Sequence, residues 1–128
     1  MSEQERNELN RRAASFRYAF EGWLYVLRTQ RNAWIHAAAS IMVISFSIWL
    51  KLDITEWLFI IISIAFVWTA EFVNTALEVV VDLATKEQHP LAKAGKDVGA
   101  AAVMIASLTS LIIGVLVLGP KLWDKFFQ

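Results

Sequence analysis

Three long apolar segments constrain the fold of this chain more than any other feature. Residues 33–50, 57–70 and 98–118 carry no Asp, Glu, Lys or Arg. An α-helix rises about 1.5 Å per residue, so about 20 apolar residues cross the core of a bilayer. Tryptophans mark the ends of these segments, as is typical of membrane interfaces: Trp34, Trp49, Trp57 and Trp123. The pattern predicts an all-α integral membrane protein with transmembrane helices at about 33–51, 55–84 and 97–119.

Composition favours the same fold class. Hydrophobic residues make up 57% of the chain and the mean hydropathy is +0.48, above the usual range for soluble domains. A soluble helical bundle is the alternative, but its helices would each show a polar face. The length of 128 residues predicts one domain, 1–128. The absence of cysteine excludes disulfides and thiolate metal sites, and no feature indicates a nucleic-acid partner.

The basic residues predict the orientation of the protein in the membrane. Cytoplasmic segments close to span ends are usually enriched in Lys and Arg. Six arginines precede or open the first span, and Lys86, Lys93 and Lys96 follow the second, whereas the intervening loop has only Lys51. We therefore expect the N-terminus and the 85–95 loop to be cytoplasmic. Two lysines beyond the third span oppose this trend, Lys121 and Lys125.

The segment before the first span has the pattern of an amphipathic helix, at about 10–30. Its large apolar side chains lie within about 100° of one another around a helix: Phe16, Phe20, Trp23, Leu24 and Leu27. Such a helix is predicted to lie in the membrane surface with the aromatic rings directed into the bilayer. Packing against the ends of the spans is the alternative, and the two arrangements are compatible.

The second span carries a polar stripe, which we call the seam: Glu71, Asn74, Thr75, Glu78 and Asp82. On a helix these five residues fall within about 100° of one another. A carboxylate in hydrocarbon costs several kcal/mol, so the seam should face protein or water. With Trp57 at the outer interface, Glu71 lies about 20 Å into the span and Glu78 about 31 Å, close to the cytoplasmic boundary.

Three further polar residues are candidates to face the seam. Gln30 precedes the first span and His36 lies inside it, although a lone histidine there is more often structural than a ligand. Lys96, beside Asp97, opens the third span and is a candidate phosphate ligand. Carboxylates and a lysine at a water boundary suit a divalent metal with a polyphosphate, because magnesium prefers few carboxylates plus phosphate oxygens.

Small residues recur along one face of the third span: Gly99, Ala102, Ala106, Ser110 and Gly114. This spacing lets membrane helices approach closely. Three spans are few for enclosing a polar site. We therefore expect a homo-oligomer with sites between protomers.

Two segments, AEFVNTALEVVVD at 70–82 and HPLAKAGKDVGAAAV at 89–103, resemble the bacterial diacylglycerol kinase family, which includes the undecaprenol kinases. The resemblance extends over about 16–118. It implies a homotrimer in the bacterial cytoplasmic membrane, each chain having a surface helix and three spans. It further implies ATP-dependent phosphorylation of a lipid alcohol, undecaprenol or diacylglycerol, with Mg²⁺ at the cytoplasmic face. The chain has no Gly-rich phosphate loop, in agreement with a family unlike P-loop enzymes or protein kinases.

The resemblance also implies roles for individual residues. Glu71 corresponds to the proton acceptor for the lipid hydroxyl, Asn74 supports it, and Glu78 is a metal and nucleotide ligand. Further nucleotide contacts correspond to Arg11, Tyr18, Glu87, Gln88, His89, Lys96 and Asp97. Gln30 stands where the family often has a second metal-binding glutamate. An amide offers one oxygen to magnesium but no charge, which weakens that assignment.

A small oligomeric transporter that uses Glu71 and Glu78 as ion or proton sites is the alternative function, because acidic residues inside membrane proteins usually mark ion or substrate pathways. A transporter would have no need of Lys96 and Asp97 as phosphate contacts. A structural scaffold would not explain the seam. Undecaprenol and diacylglycerol both present a primary hydroxyl on an apolar body, and no residue discriminates between them.

Overall fold

The computed structural model describes residues 2–127, which form four α-helices with short connections and contain no strand. Helix α1 is Glu3–Thr29, α2 is Arg31–Trp49, α3 is Ile54–Ala84 and α4 is Pro90–Phe127. Helices α2, α3 and α4 are long and apolar enough to cross a membrane. A helix satisfies its backbone hydrogen bonds internally, as hydrocarbon requires. The structure thus confirms the predicted all-α class with three membrane-length helices.

Two helices begin earlier than the sequence pattern indicated. Helix α1 begins at Glu3 because Ser2 and Glu5 form a capping box, in which each side chain accepts a hydrogen bond from the other residue's backbone N–H. Helix α4 begins at Pro90 rather than near residue 97. Proline is favoured at the first helical position, and His89 Nδ1 accepts a hydrogen bond from the N–H of Leu91 at 3.2 Å. The segment 90–96, predicted to be a loop, is therefore helical.

The chain consists of two compact units, Met1–Arg31 and Asn32–Gln128. The first unit consists mainly of α1. Its aromatic side chains Phe16 and Phe20 are exposed, and an ion pair joins Arg17 to Glu21 at 3.5 Å. Exposed aromatic rings on one side suit a helix in the membrane surface. That location remains a prediction.

In the second unit, a Schellman motif ends α2. The N–H of Lys51 bonds to the carbonyl of Ile48 at 3.1 Å, and the N–H of Leu52 bonds to that of Ser47 at 3.2 Å. Lys51 has φ 55°, the left-handed conformation that glycine normally adopts at this position. The chain therefore reverses within a few residues and enters α3 directly.

Helices α3 and α4 pack together at the end of the second unit that lies opposite the seam. Asp53 and Glu56 form a capping box at the start of α3, and Lys121 on α4 lies 3.2 Å from the Glu56 carboxylate. An apolar cluster fills this end: Leu50, Leu52 and Ile60, with Val43, Trp57, Ile64, Val117, Leu118 and Leu122 around them. Further along, Ser110 donates a hydrogen bond to the carbonyl of Ser63 at 2.9 Å. These contacts hold the helix pair that carries the seam.

Candidate active site

The five residues of the seam differ in exposure along α3. Glu71 is 1% exposed, and Asn74 and Thr75 are also buried. Glu78 is half-buried and Asp82 is exposed. Thr75 donates its hydroxyl to the carbonyl of Glu71 at 2.8 Å, so that hydroxyl is used within the helix. The seam is therefore a row of polar groups that runs from a buried carboxylate to one in contact with solvent.

Glu71 has a polar neighbour on α2. His36 on α2 places Nε2 3.6 Å from Glu71 Oε2. No residue in the described part of the chain donates a hydrogen bond to either oxygen of Glu71. A buried carboxylate without hydrogen bonds is costly, and such groups are frequently functional. The structure thus places His36 opposite the seam, as the sequence analysis proposed.

Asn74 lies between Glu71 and the more exposed part of the seam and contacts Glu78. Its amide nitrogen donates to Glu78 Oε1 at 3.4 Å, whereas no described residue donates to its Oδ1. Gly99 on α4 lies against this amide, and a Cβ at that position would overlap Asn74 Oδ1. Sequence analysis assigned Gly99 only to a face of small residues, and it did not predict this contact.

The carboxylate at this position fits magnesium. Glu78 offers a half-buried carboxylate, whereas Asn74 turns its amide nitrogen to Glu78 and its oxygen to Gly99. Within residues 2–127, no group of three His, Asp or Glu side chains lies close enough to hold a metal on its own. Magnesium often uses one or two carboxylates together with substrate phosphates and water. Gln30, the other predicted metal ligand, is the C-cap of α1 and belongs to the first unit.

A cavity of 880 Å³ lies beside the loop that joins α3 to α4. Four of the predicted nucleotide contacts line it, Glu87, Gln88, His89 and Lys96, together with Asp82 and Lys93. Sites for small molecules and cofactors commonly enclose about 300–1,000 Å³. The cavity is therefore large enough for a nucleotide. It brings together residues from the end of α3, the loop and the first turns of α4.

Two ion pairs border this cavity, and neither joins Lys96 to Asp97. Lys96 Nζ lies 2.5 Å from Asp82 Oδ1, and Lys93 pairs with Asp97. Adjacent residues on a helix point about 100° apart, so Lys96 and Asp97 diverge. Sequence analysis missed the pairing of Lys93 with Asp97, although a spacing of four residues is the signal of a helical ion pair. The partnership of Asp82 with Lys96 depends on the packing of α3 against α4.

The two predicted nucleotide contacts on α1, Arg11 and Tyr18, are exposed. They are seven residues apart, about two helical turns, and so lie on the same side of the helix. The guanidinium of Arg17 is 5.2 Å from the centre of the Tyr18 ring. Their contact with a nucleotide remains a prediction.

Three membrane-length helices and an internal polar seam define a small α-helical integral membrane protein. A family model described as Prokaryotic diacylglycerol kinase matches residues 17–118. The chain therefore belongs to the prokaryotic diacylglycerol kinase family. The match includes the whole seam, the loop and most of α4.

Three relatives illustrate this relationship. Undecaprenol kinase of Bacillus subtilis (strain 168) is 45% identical over 121 residues, which cover 94% of this chain and 98% of the relative. Diacylglycerol kinase of Synechocystis sp. is 39% identical over 109 residues, covering 84% of this chain and 62% of the relative. Diacylglycerol kinase of Escherichia coli (strain K12) is 32% identical over 109 residues, covering 80% of this chain and 86% of the relative. These relatives support a bacterial integral membrane protein.

Proposed function

We propose that this protein transfers the γ-phosphoryl group of ATP to the hydroxyl of a membrane lipid alcohol at the cytoplasmic face. As a member of its family the chain is a lipid kinase. The observation that carries the detailed proposal is the continuity of the seam with the cavity. The buried carboxylate of Glu71 begins the row of seam residues on α3, Asn74 donates to Glu78 further along the helix, and Asp82 at the end of the row lines the cavity together with Lys96. In this proposal the lipid reaches the buried end of the seam, and the nucleotide reaches its exposed end.

Glu71 is the proposed base for the lipid hydroxyl. It lies in the apolar part of the span, where a lipid can present its head, and its oxygens accept no hydrogen bond from the described residues. Loss of hydration makes a carboxylate a stronger base. In the proposed step the hydroxyl oxygen attacks the γ-phosphorus, its proton passes to Glu71, and ADP leaves. The products are the lipid phosphate and ADP.

The nucleotide is proposed to occupy the cavity beside the loop. Lys96 would turn from Asp82 to the phosphates, and this exchange is easy because both side chains are largely exposed, at 41% and 65%. Glu87, Gln88 and His89 line the remainder of the cavity. Glu78 would hold Mg²⁺ together with phosphate oxygens, and the ion would neutralise phosphate charge. Arg11 and Tyr18 on α1 stay proposed nucleotide contacts on the family resemblance alone.

Glu71 and Glu78 are separated by about 10 Å along the helix axis. A single phosphoryl group cannot contact both, so the triphosphate must extend along the seam. Surfaces of α3 and α4 with exposed apolar side chains leave room for neighbouring protomers. We therefore propose a homotrimer, as the family resemblance implies, in which adjacent chains complete each site.

Undecaprenol is the preferred acceptor in this proposal. The B. subtilis relative named for undecaprenol is 45% identical over nearly its whole length, whereas the diacylglycerol kinases cited above are 39% and 32% identical. Since both lipids present a primary hydroxyl, we expect measurable but slower transfer to diacylglycerol.

The test is transfer of labelled phosphate from Mg-ATP to undecaprenol or to a diacylglycerol, measured with purified protein in mixed micelles. The proposal predicts a lipid phosphate product and ATP consumption that depends on the lipid. A mock purification from cells without the protein controls for contaminating kinases. Absence of transfer to both lipids, in protein that retains its oligomer, would refute the lipid-kinase proposal. Ion or drug transport by such inactive protein in liposomes would instead support the transporter alternative.

A further inference from the structure

His36 on α2 faces Glu71 on α3 within the apolar part of the spans. His36 Nε2 lies 3.6 Å from Glu71 Oε2, and the two side chains are 15% and 1% exposed. Neither of these atoms has another hydrogen-bond partner among the described residues. Buried polar groups are normally hydrogen-bonded. The imidazole and the carboxylate are therefore each other's available partner, and a movement of a few tenths of an ångström would make the contact a hydrogen bond.

The surroundings hold the His36 ring in this position. Trp68 on α3 packs edge-on against it, with ring centres 6.4 Å apart and planes at 69°. Trp68 Nε1 donates to Ser40 Oγ at 3.2 Å, and Ser40 Oγ donates to the backbone carbonyl of His36 at 2.7 Å. These bonds join α2 to α3 beside His36. Trp68 thus packs against the ring from α3, and its own bond to Ser40 holds Trp68 in place.

We infer that His36 is the positioning residue for Glu71: its Nε2–H binds Oε2 and leaves Oε1 directed to the hydroxyl of the lipid. The inference rests on the proposed function, in which Glu71 is the base. A carboxylate with no donor could rotate about its last side-chain bond, and neither oxygen would then have a fixed direction. One donor on one oxygen removes this freedom. Catalytic hydrogen bonds are often long before substrate binds, in agreement with the observed 3.6 Å.

This inference can be tested with substitutions at position 36 that differ in how far the donor nitrogen lies from the backbone. The amide nitrogen of glutamine extends about as far as imidazole Nε2, whereas that of asparagine is too short and phenylalanine has no donor. We expect His36→Phe and His36→Asn each to lower kcat by about 10²-fold, the effect of misplacing a reacting group by about 1 Å. His36→Gln should retain most of the wild-type kcat. The KM for Mg-ATP should be unchanged in all three variants.

Ser45→Ala is the matched control. Ser45 is exposed on α2, and its hydroxyl only bonds to the carbonyl of Ile41. It lies nine residues after His36, on the opposite side of the helix. We expect wild-type kcat for this variant. Unfolding midpoints should be measured for every variant, and the comparison of His36→Gln with His36→Asn remains informative if His36→Phe does not fold.

The outcomes separate this inference from the proposed function. Wild-type activity in His36→Phe and His36→Asn would overturn the positioning role and leave the kinase proposal intact. Equal losses in the Gln and Asn variants, or losses in kcat and Mg-ATP affinity together, would also overturn it. If His36 acts through Glu71, adding His36→Phe to Glu71→Gln should cause little further loss. Wild-type protein that transfers no phosphate to either lipid would instead refute the proposed function.

Discussion

Gly99 on α4 lies so close to Asn74 on α3 that a methyl group at position 99 would overlap Asn74 Oδ1. The overlap could be relieved only by moving the Asn74 amide or by separating the two helices. Asn74 donates a hydrogen bond to Glu78 through the same amide group. Glycine at position 99 therefore sets the position of Asn74, and with it the contact of Asn74 with Glu78.

Gly99→Ala should accordingly lower kcat by about 10²-fold, because displacement of Asn74 by about 1 Å disturbs the groups around the transferred phosphoryl. The measurement is kcat for lipid phosphorylation at saturating Mg-ATP. Gly119→Ala is the matched control, since a Cβ at that position of the same helix would meet open space. Equal activity of the two variants would show that Asn74 tolerates displacement.

Glu78→Gln should abolish phosphoryl transfer and leave the oligomer intact. The substitution keeps the volume and the acceptor oxygen that faces Asn74, but it removes the charge that magnesium requires. Rates should be measured across a magnesium titration. Asp124→Asn, an exposed carboxylate near the end of α4, should behave as wild type. If the Glu78→Gln variant keeps more than a small fraction of the wild-type rate at saturating magnesium, Glu78 does not bind the metal.

Gln30→Glu should tighten the apparent affinity for magnesium or Mg-ATP. If position 30 contacts the metal, as the family resemblance implies, a carboxylate there adds a negative charge that magnesium favours. Titrations of activity against magnesium and against ATP give the two constants. Gln4→Glu makes the same change on an exposed position of α1 and should alter neither. Unchanged constants for both variants would mean that position 30 does not contact the metal.

The helices and the seam could be predicted from sequence because they depend on local periodicity. The apolar segments predicted three spans, and the helical period predicted that Glu71 and Glu78 lie on the same side of α3. The sequence pattern missed contacts between helices. The ion pair of Lys96 with Asp82 and the contact of Gly99 with Asn74 depend on how α3 packs against α4. The periodicity of a single helix does not predict which residues of two helices come into contact.

Lys51→Gly should stabilise the protein. Lys51 adopts φ 55° in the turn after α2, and a left-handed conformation costs a residue with a Cβ about 1 kcal/mol. We expect a higher unfolding midpoint in a denaturant titration in micelles, with unchanged activity. Lys51→Ala also removes the charge but keeps the strained conformation, so it separates the two effects. A Gly variant no more stable than the Ala variant would contradict the role of backbone strain.

Glu71→Gln should lower turnover by about 10²–10⁴-fold, the usual contribution of a general base. The substitution keeps the shape and the hydrogen-bonding capacity beside His36 but removes the basicity. The affinity for Mg-ATP should stay nearly unchanged, because the cavity lined by Lys96 lies toward the other end of the seam. The measurements are single-turnover phosphorylation of the lipid and equilibrium binding of the nucleotide.

Glu71→Ala is a less informative change than Glu71→Gln, since Glu71 is 1% exposed and its truncation would leave a cavity between the helices. Loss of turnover in the Gln variant without loss of nucleotide binding is expected only of a group that acts on the lipid hydroxyl. If Glu71→Gln lowers Mg-ATP binding and turnover by the same factor, Glu71 belongs to the nucleotide site or to the packing of the helices. The hydroxyl proton must then leave by another route.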